Sequence, residues 1–162
     1  MIYVLCFDNV YVPIENLQVG DLVKTYQHGY RKIIRLTCKK ITNNPDSETN
    51  CIYRTKSCMP YFYELRLFGC QSILIDKITQ DNTDLVLQKK LSKNVRNINN
   101  KFMVYSCCSK TFEKITDNNN YNYYFLVLEP EPGPYENQLK YGIWFNGILT
   151  ESLSLSEFIS IM

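Results

Sequence analysis

Few side chains in this chain are equipped to do covalent chemistry. It carries seven cysteines and a single histidine, His28. A thiolate beside an imidazole would attack a carbonyl and hand the proton to the leaving group, and Cys and His at tight spacing would hold zinc. The spacing does not favour zinc. Cys51 and Cys58 stand too far apart for a knuckle, and Cys107-Cys108 are neighbours that suit neither a zinc site nor an easy disulfide. Reduced, mostly buried thiols inside a cell are the preferred reading. No metal and no cofactor is expected.

The elements that must position these residues are β-strands. At 162 residues the chain builds one core and one domain, residues 1–162. It has no Ala, the best helix former, while Tyr, Phe, Ile and Val suit half-buried pleated surfaces. AT-rich codons would produce the same bias toward Asn, Lys, Ile and Tyr. A net charge of +2 provides no field for nucleic acid, which is not expected as a partner. The apolar opening Met1 to Phe7 lacks a basic leader and is far too short to span a bilayer. A soluble, intracellular protein without a membrane partner is expected.

In chain order, residues 2–7 and 10–12 read as a hairpin closed by Asp8-Asn9. Pro13 then ends the strand, Ile14 and Leu17 give a short turn an apolar face, Gly20 permits a reversal, and Asp21 bonds at the turn before Leu22-Val23. A His28-Gly29 turn precedes a strand from Tyr30 to Thr37, Asn43 to Asn50 is an exposed loop, and a strand lies near Cys51 to Thr55. Tyr61 to Phe68 alternates with the period of a strand. Asp81 to Val95 predicts an amphipathic helix on Leu87, Leu91 and Val95, with Asp84 early and Lys89, Lys90 and Lys93 late, a helical excursion over about 81–96 ended by Asn97 to Asn100. Lys101 to Cys107 is a strand, Thr116 to Asn122 a loop, Tyr123 to Leu128 a buried strand, and Glu129 to Pro134 an extended connection. Asn146-Gly147 signals a hairpin, and Leu153 to Ile161 a short terminal helix. Tyr121, Tyr123, Tyr124, Tyr135 and Tyr141 suit an interface, or a β core with hydroxyls at its edge, which is preferred.

Three stretches together resemble the Hint (Hedgehog/intein) domain family: Val4 to Tyr26 with its Pro-Ile-Glu and Val-Gly-Asp turns, Tyr63 to Asp76 around Gly69, and Tyr141 to Ser152 around Asn146-Gly147. Thr25 to Arg31 and Gly69 to Asp76 are similar to Hint-domain proteins of large DNA viruses, which implies a viral protein in the host cytoplasm or virion. The resemblance implies a horseshoe of paired antiparallel strands with one inserted helix, and an ancestry in autoproteolysis. There a Cys opening the first strand attacks the preceding carbonyl, a Thr-x-x-His pair assists, and in splicing a His-Asn pair closes the reaction.

This chain departs at each place. The nucleophile falls upstream of Met1 by register, Phe68 and Gln71 stand at the Thr and His positions, and Glu151 and Ser152 stand where His-Asn is needed. Cys6 reads as a small buried hydrophobe, His28 as a surface or capping residue, and Asp21 and Asp76 as turn carboxylates. Cys70 is the best-placed alternative thiol, yet no base accompanies it. The expectation is a catalytically degenerate Hint-like module that serves structure or interaction, with an unidentified protein as its partner. The competing readings are a working self-cleaving domain using Cys6 or Cys70, and an unrelated β-rich binding protein.

Overall fold

The computed structural model describes residues 1–56, 63–92 and 94–162. Among the described residues the architecture is mainly β, with antiparallel sheets and two α-helices. The strands are β1 (Tyr3–Leu5), β2 (Tyr11–Pro13), β3 (Leu22–Lys24), β4 (Tyr30–Thr42), β5 (Ile52–Thr55), β6 (Arg66–Phe68) and β7 (Ser72–Ile75). They continue as β8 (Asn97–Ile98), β9 (Lys101–Tyr105), β10 (Phe112–Lys114), β11 (Asn120–Leu128), β12 (Gly142–Phe145) and β13 (Ile148–Glu151). The helices are α1 (Leu85–Leu91) and α2 (Leu155–Ile161). One seven-stranded sheet has the order β2-β1-β12-β13-β7-β9-β8, and two three-stranded sheets have the orders β10-β5-β6 and β11-β4-β3.

Left-handed turn residues set the hairpins. Asp8-Asn9, Asn99-Asn100 and Asn146-Gly147 all have positive φ, at 57° and 59°, 50° and 64°, and 48° and 84°. Two such residues in succession match the twist of the flanking strands, and Asn, Asp and Gly tolerate that conformation. The Asn99-Asn100 turn joins β8 to β9, a hairpin where the sequence suggests only a helix end.

A succession of strand, 3₁₀ turn, short strand and long strand occurs twice. It runs first through β2, the turn Ile14–Asn16, β3 and β4, and again through β9, the turn Ser106–Cys108, β10 and β11. The two long strands pair antiparallel with each other. Laying Leu22 on Phe112 and Tyr30 on Asn120 lays Leu36 on Leu126, and those two leucines are partners in the ladder. The pairings around them differ, since β3 lies beside β4 whereas β10 lies beside β5.

Several boundaries move from the sequence expectation. β4 continues past Thr37 to Thr42 because β11 already begins at Asn120 and pairs along that extension. The strand expected from Lys101 to Cys107 stops at Tyr105, where the 3₁₀ turn begins. α1 starts only after Asp84, whose carboxylate caps the amides of Val86 and Leu87, and it ends at Leu91, leaving Val95 exposed. The loop after β4 is not exposed throughout. Asn43 is buried, donates to the carbonyls of Ile115 and Asp117, and accepts from the Ile52 amide. Cys58, Lys93 and the Tyr61-Phe62 start of a predicted strand lie outside the described residues.

Three apolar clusters hold the elements. Val4, Val23, Ile33, Leu126 and Ile143 pack β1, β3, β4, β11 and β12 together. Tyr53, Leu67, Ile73, Val104 and Phe112 pack β5, β6, β7, β9 and β10, with Leu87 and Leu91 of α1 laid against them. Phe158 of α2, held by a Ser154–Glu157 capping box, joins Tyr123, Phe125 and Val127 on the face of β11. Of the clustered tyrosines, Tyr123 and Tyr141 are core residues, while Tyr135 is exposed.

Candidate functional site

The turn from β6 to β7 packs tightly enough to specify its residues. The Gly69 amide donates to the Cys51 carbonyl at 2.8 Å, the Cys70 amide to Thr49 at 3.0 Å, and the Gln71 amide to Phe68 at 2.9 Å. A Cβ on Gly69 would collide with the Glu48 carbonyl oxygen and crowd the Tyr53 ring. Phe68 lays its ring on Tyr123, with centroids 4.5 Å apart. The Tyr123 hydroxyl donates to Gln71 Oε1, which also accepts from the Phe68 amide at 3.3 Å. Ser106 Oγ donates to the Phe68 carbonyl at 2.6 Å, and the Ser106 amide to the Gln71 carbonyl at 2.8 Å. Burial pushes the Tyr123 phenol far above its ordinary value, so it acts as a neutral donor.

The end of β13 meets this turn. Glu151 is 8% exposed; its Oε1 accepts from the Ser72 amide at 2.9 Å and its Oε2 from Lys140 Nζ at 2.9 Å. Lys140 also reaches Glu157 at 2.6 Å. Burial opposes the Lys140 ammonium, but the Glu151 and Glu157 carboxylates outweigh it and raise the pKa. For Glu157, burial works upward, and the bonds from Lys140 and Ser154 carry the net shift downward. The Ser152 amide donates to the Tyr141 carbonyl at 2.7 Å, and Ser152 Oγ accepts the Tyr141 amide at 2.8 Å. Cys70, Gln71, Lys140, Glu151, Ser152 and Glu157 thus line one cleft of about 310 Å³.

Ile2, just ahead of β1, approaches Gln71 from the other side. Ile2 and Gln71 line a small cavity of about 30 Å³ with Leu67, Tyr123 and Phe145. Asn146 secures this end of the chain. Its Oδ1 accepts the Tyr3 amide at 2.6 Å, and its Nδ2 donates to the carbonyls of Glu64 at 3.1 Å and Met1 at 3.3 Å. Sequence reasoning assigns Asn146 to a turn alone and misses this second role, as it misses Tyr123 and Lys140.

Positions Phe68, Cys70, Gln71, Glu151 and Ser152 are therefore brought together, whereas Cys6 and His28 are elsewhere. Cys6 is buried behind Val23, and burial, with the Asp21 charge adding to it, pushes its thiol up to about 11. Cys70 stands at the exposed rim, but crowding of its sulfur and the nearby Glu151 charge raise its pKa as well. His28 is more than a surface cap. Its Nδ1 lies 3.0 Å from Glu131 and its Nε2 3.1 Å from Asn99 Oδ1, and its ring meets the Tyr141 edge. With Arg31 bound to the same Glu131 carboxylate, this cluster ties the His28-Gly29 turn to the connection after β11. Imidazole and thiol are not neighbours in the cleft.

Among the described residues, no three His, Cys, Asp or Glu side chains group as a metal ion requires, and no helix is long and apolar enough to cross a membrane. The fold and cleft define a mainly β protein whose β6–β7 turn and β12–β13 hairpin share one polar site. No protein-family model, curated protein or solved structure matches the chain.

Proposed function

We propose that this chain is a Hint-like domain without self-cleaving chemistry, serving as a structural or protein-interaction module. The observation that carries the reading is the placement of Gln71. It lies between the segment just ahead of β1, through the cavity shared with Ile2, and the closing hairpin, through the cleft shared with Glu151 and Ser152. A working autoprocessing domain needs its proton-transferring residue at such a junction. The repeated strand, turn and strand order, with its central Leu36–Leu126 pair, supports the same reading.

The chemistry at that junction is absent for physical reasons. An amide has no titratable proton, and general acid–base help is worth about 10²–10⁴ in rate. Gln71 is further committed to Tyr123 and the Phe68 amide, and Glu151 to Lys140 and the Ser72 amide. Phe68 offers no hydrogen bond from its ring. The residues at the catalytic positions are used to hold the turn and the closing strand together. Within this reading the protein works inside a cell, a setting that suits its unpaired described cysteines.

The test is intact mass on the protein with a tag fused before Met1, incubated with and without dithiothreitol. An unchanged mass over days is expected. A fragment ending at Leu5 that accumulates faster with thiol would make Cys6 a live nucleophile and overturn the proposal.

A further inference from the structure

The 3₁₀ turn Ser106–Cys108 presents two adjacent thiols whose Sγ atoms are 3.7 Å apart, within hydrogen-bond contact. It is the one thiol–thiol hydrogen bond among the described residues. Cys108 is 1% exposed and Cys107 is half-buried, so an external reagent reaches Cys107 first. We propose that Cys107 and Cys108 form a reversible thiol–disulfide exchange site that reacts with low-molecular-weight disulfides. This site lies outside the cleft and stands independently of the function proposed above.

The steps balance as follows. Cys108, as thiolate, takes the Cys107 proton while Cys107 Sγ bonds to one sulfur of the small disulfide, and the other sulfur leaves as a thiolate. That leaving thiolate collects the proton from Cys108. Cys108 Sγ then attacks Cys107 Sγ and expels the second small thiolate. The protein loses two electrons, and the small disulfide gains them. The contact between the two sulfurs stabilises the thiolate on Cys108 and leaves the pair's remaining proton on Cys107, 3.7 Å from the base that receives it as the bond to the small disulfide forms.

The geometry also makes the product labile. Consecutive Cα atoms are about 3.8 Å apart across a trans peptide, shorter than the roughly 4.4–6.8 Å that bridged residues usually span. Closing the ring must bend the turn, and strained disulfides are the readily reduced ones. Bending would be felt at two places. The Cys107 amide donates to the Gly69 carbonyl at 3.3 Å, and the Asp84 amide, at the cap of α1, donates to the Cys108 carbonyl at 2.7 Å. Cys6 and Cys51 are buried, and Cys38 and Cys70 are exposed; none has a hydrogen-bonded thiol to resolve an adduct.

The experiment incubates the reduced, folded full chain with glutathione disulfide, quenches with acid and digests with trypsin. Cleavage after Lys101 and Lys110 leaves both cysteines in the peptide Phe102–Lys110. That peptide should emerge two hydrogens lighter and regain them with dithiothreitol. Cys108→Ser should instead accumulate one glutathione on Cys107, and Cys70→Ser should behave as the wild type. A lasting glutathione adduct on the wild-type peptide would overturn the proposal. So would an unmodified peptide at oxidant levels that derivatise Cys38 or Cys70. The wild-type measurement decides even where a variant folds poorly.

Discussion

Replacing Lys140 by Met leaves Glu151 without its counter-charge. Glu151 is 8% exposed and Lys140 18% at the side chain, so both heads sit in a medium far less polar than water. Breaking a buried pair from one side costs about 3–5 kcal/mol, because the remaining charge stays desolvated. Two features moderate this here. The Ser72 amide still donates to Glu151, and the Lys140 head keeps some contact with water. A loss of about 2–3 kcal/mol is therefore expected, from the same one-sided penalty. With a urea slope of about 2 kcal/mol/M for a chain of this size, the midpoint should fall by roughly 1–1.5 M at unchanged slope. Lys140→Met with Glu151→Gln removes the stranded charge and keeps an acceptor for Ser72, and should return to within about 1 kcal/mol of wild type. The pH dependence follows from the shifts. Lys140 is raised, so its contribution is complete below the ordinary lysine value and is lost as pH climbs through the raised one. Glu157 is lowered, so its contribution is complete above the ordinary glutamate value and is lost as pH falls through the lowered one. The gap between wild type and Lys140→Met should thus be widest near neutrality. A single-variant cost under about 0.5 kcal/mol, typical of a solvated surface pair, would refute the reasoning.

Gly69→Ala should cost at least the roughly 1–3 kcal/mol of overpacking, since the new methyl group meets the Glu48 backbone; thermal unfolding measures it, and an unshifted midpoint contradicts the close approach. Asn146→Ala puts Ala at a φ of 48° and strands the Tyr3 amide, for about 2–4 kcal/mol in sum. Amide exchange at Tyr3 should accelerate in that variant, and unchanged protection there would argue against the tether. Cys6 should resist iodoacetamide at pH 8, where a thiol at about 11 is only about one part in a thousand ionised; labelling at the rate of a free cysteine would mean the site opens readily.

How far the fold could be read depended on how local its causes are. Asp8-Asn9 and Asn146-Gly147 act through their own backbone angles, and Asp84 caps the helix that begins at the next residue. The two turns and the presence of the helix were legible from neighbouring residues, but the helix start was expected at Asp81 and not after Asp84. The length of β4 was not, because its last residues are strand only through pairing with β11. The Asn99-Asn100 hairpin was hidden by two-residue β8, too short to show a period.

The same distinction holds for the site. Residue types alone settle positions 68 and 71, since no fold can give a phenyl ring a hydrogen bond to donate or an amide a titratable proton. Sequence also sufficed for the mainly β architecture, because side-chain alternation is a local signal. Which residues meet was decided by packing. Glu151 reaches the Ser72 amide, Asn146 the Tyr3 amide, and Lys140 lies between two carboxylates, each across pairings of strands remote in the chain. Such contacts arise when whole faces of sheets are buried against one another, and no short stretch of residues encodes that partner choice.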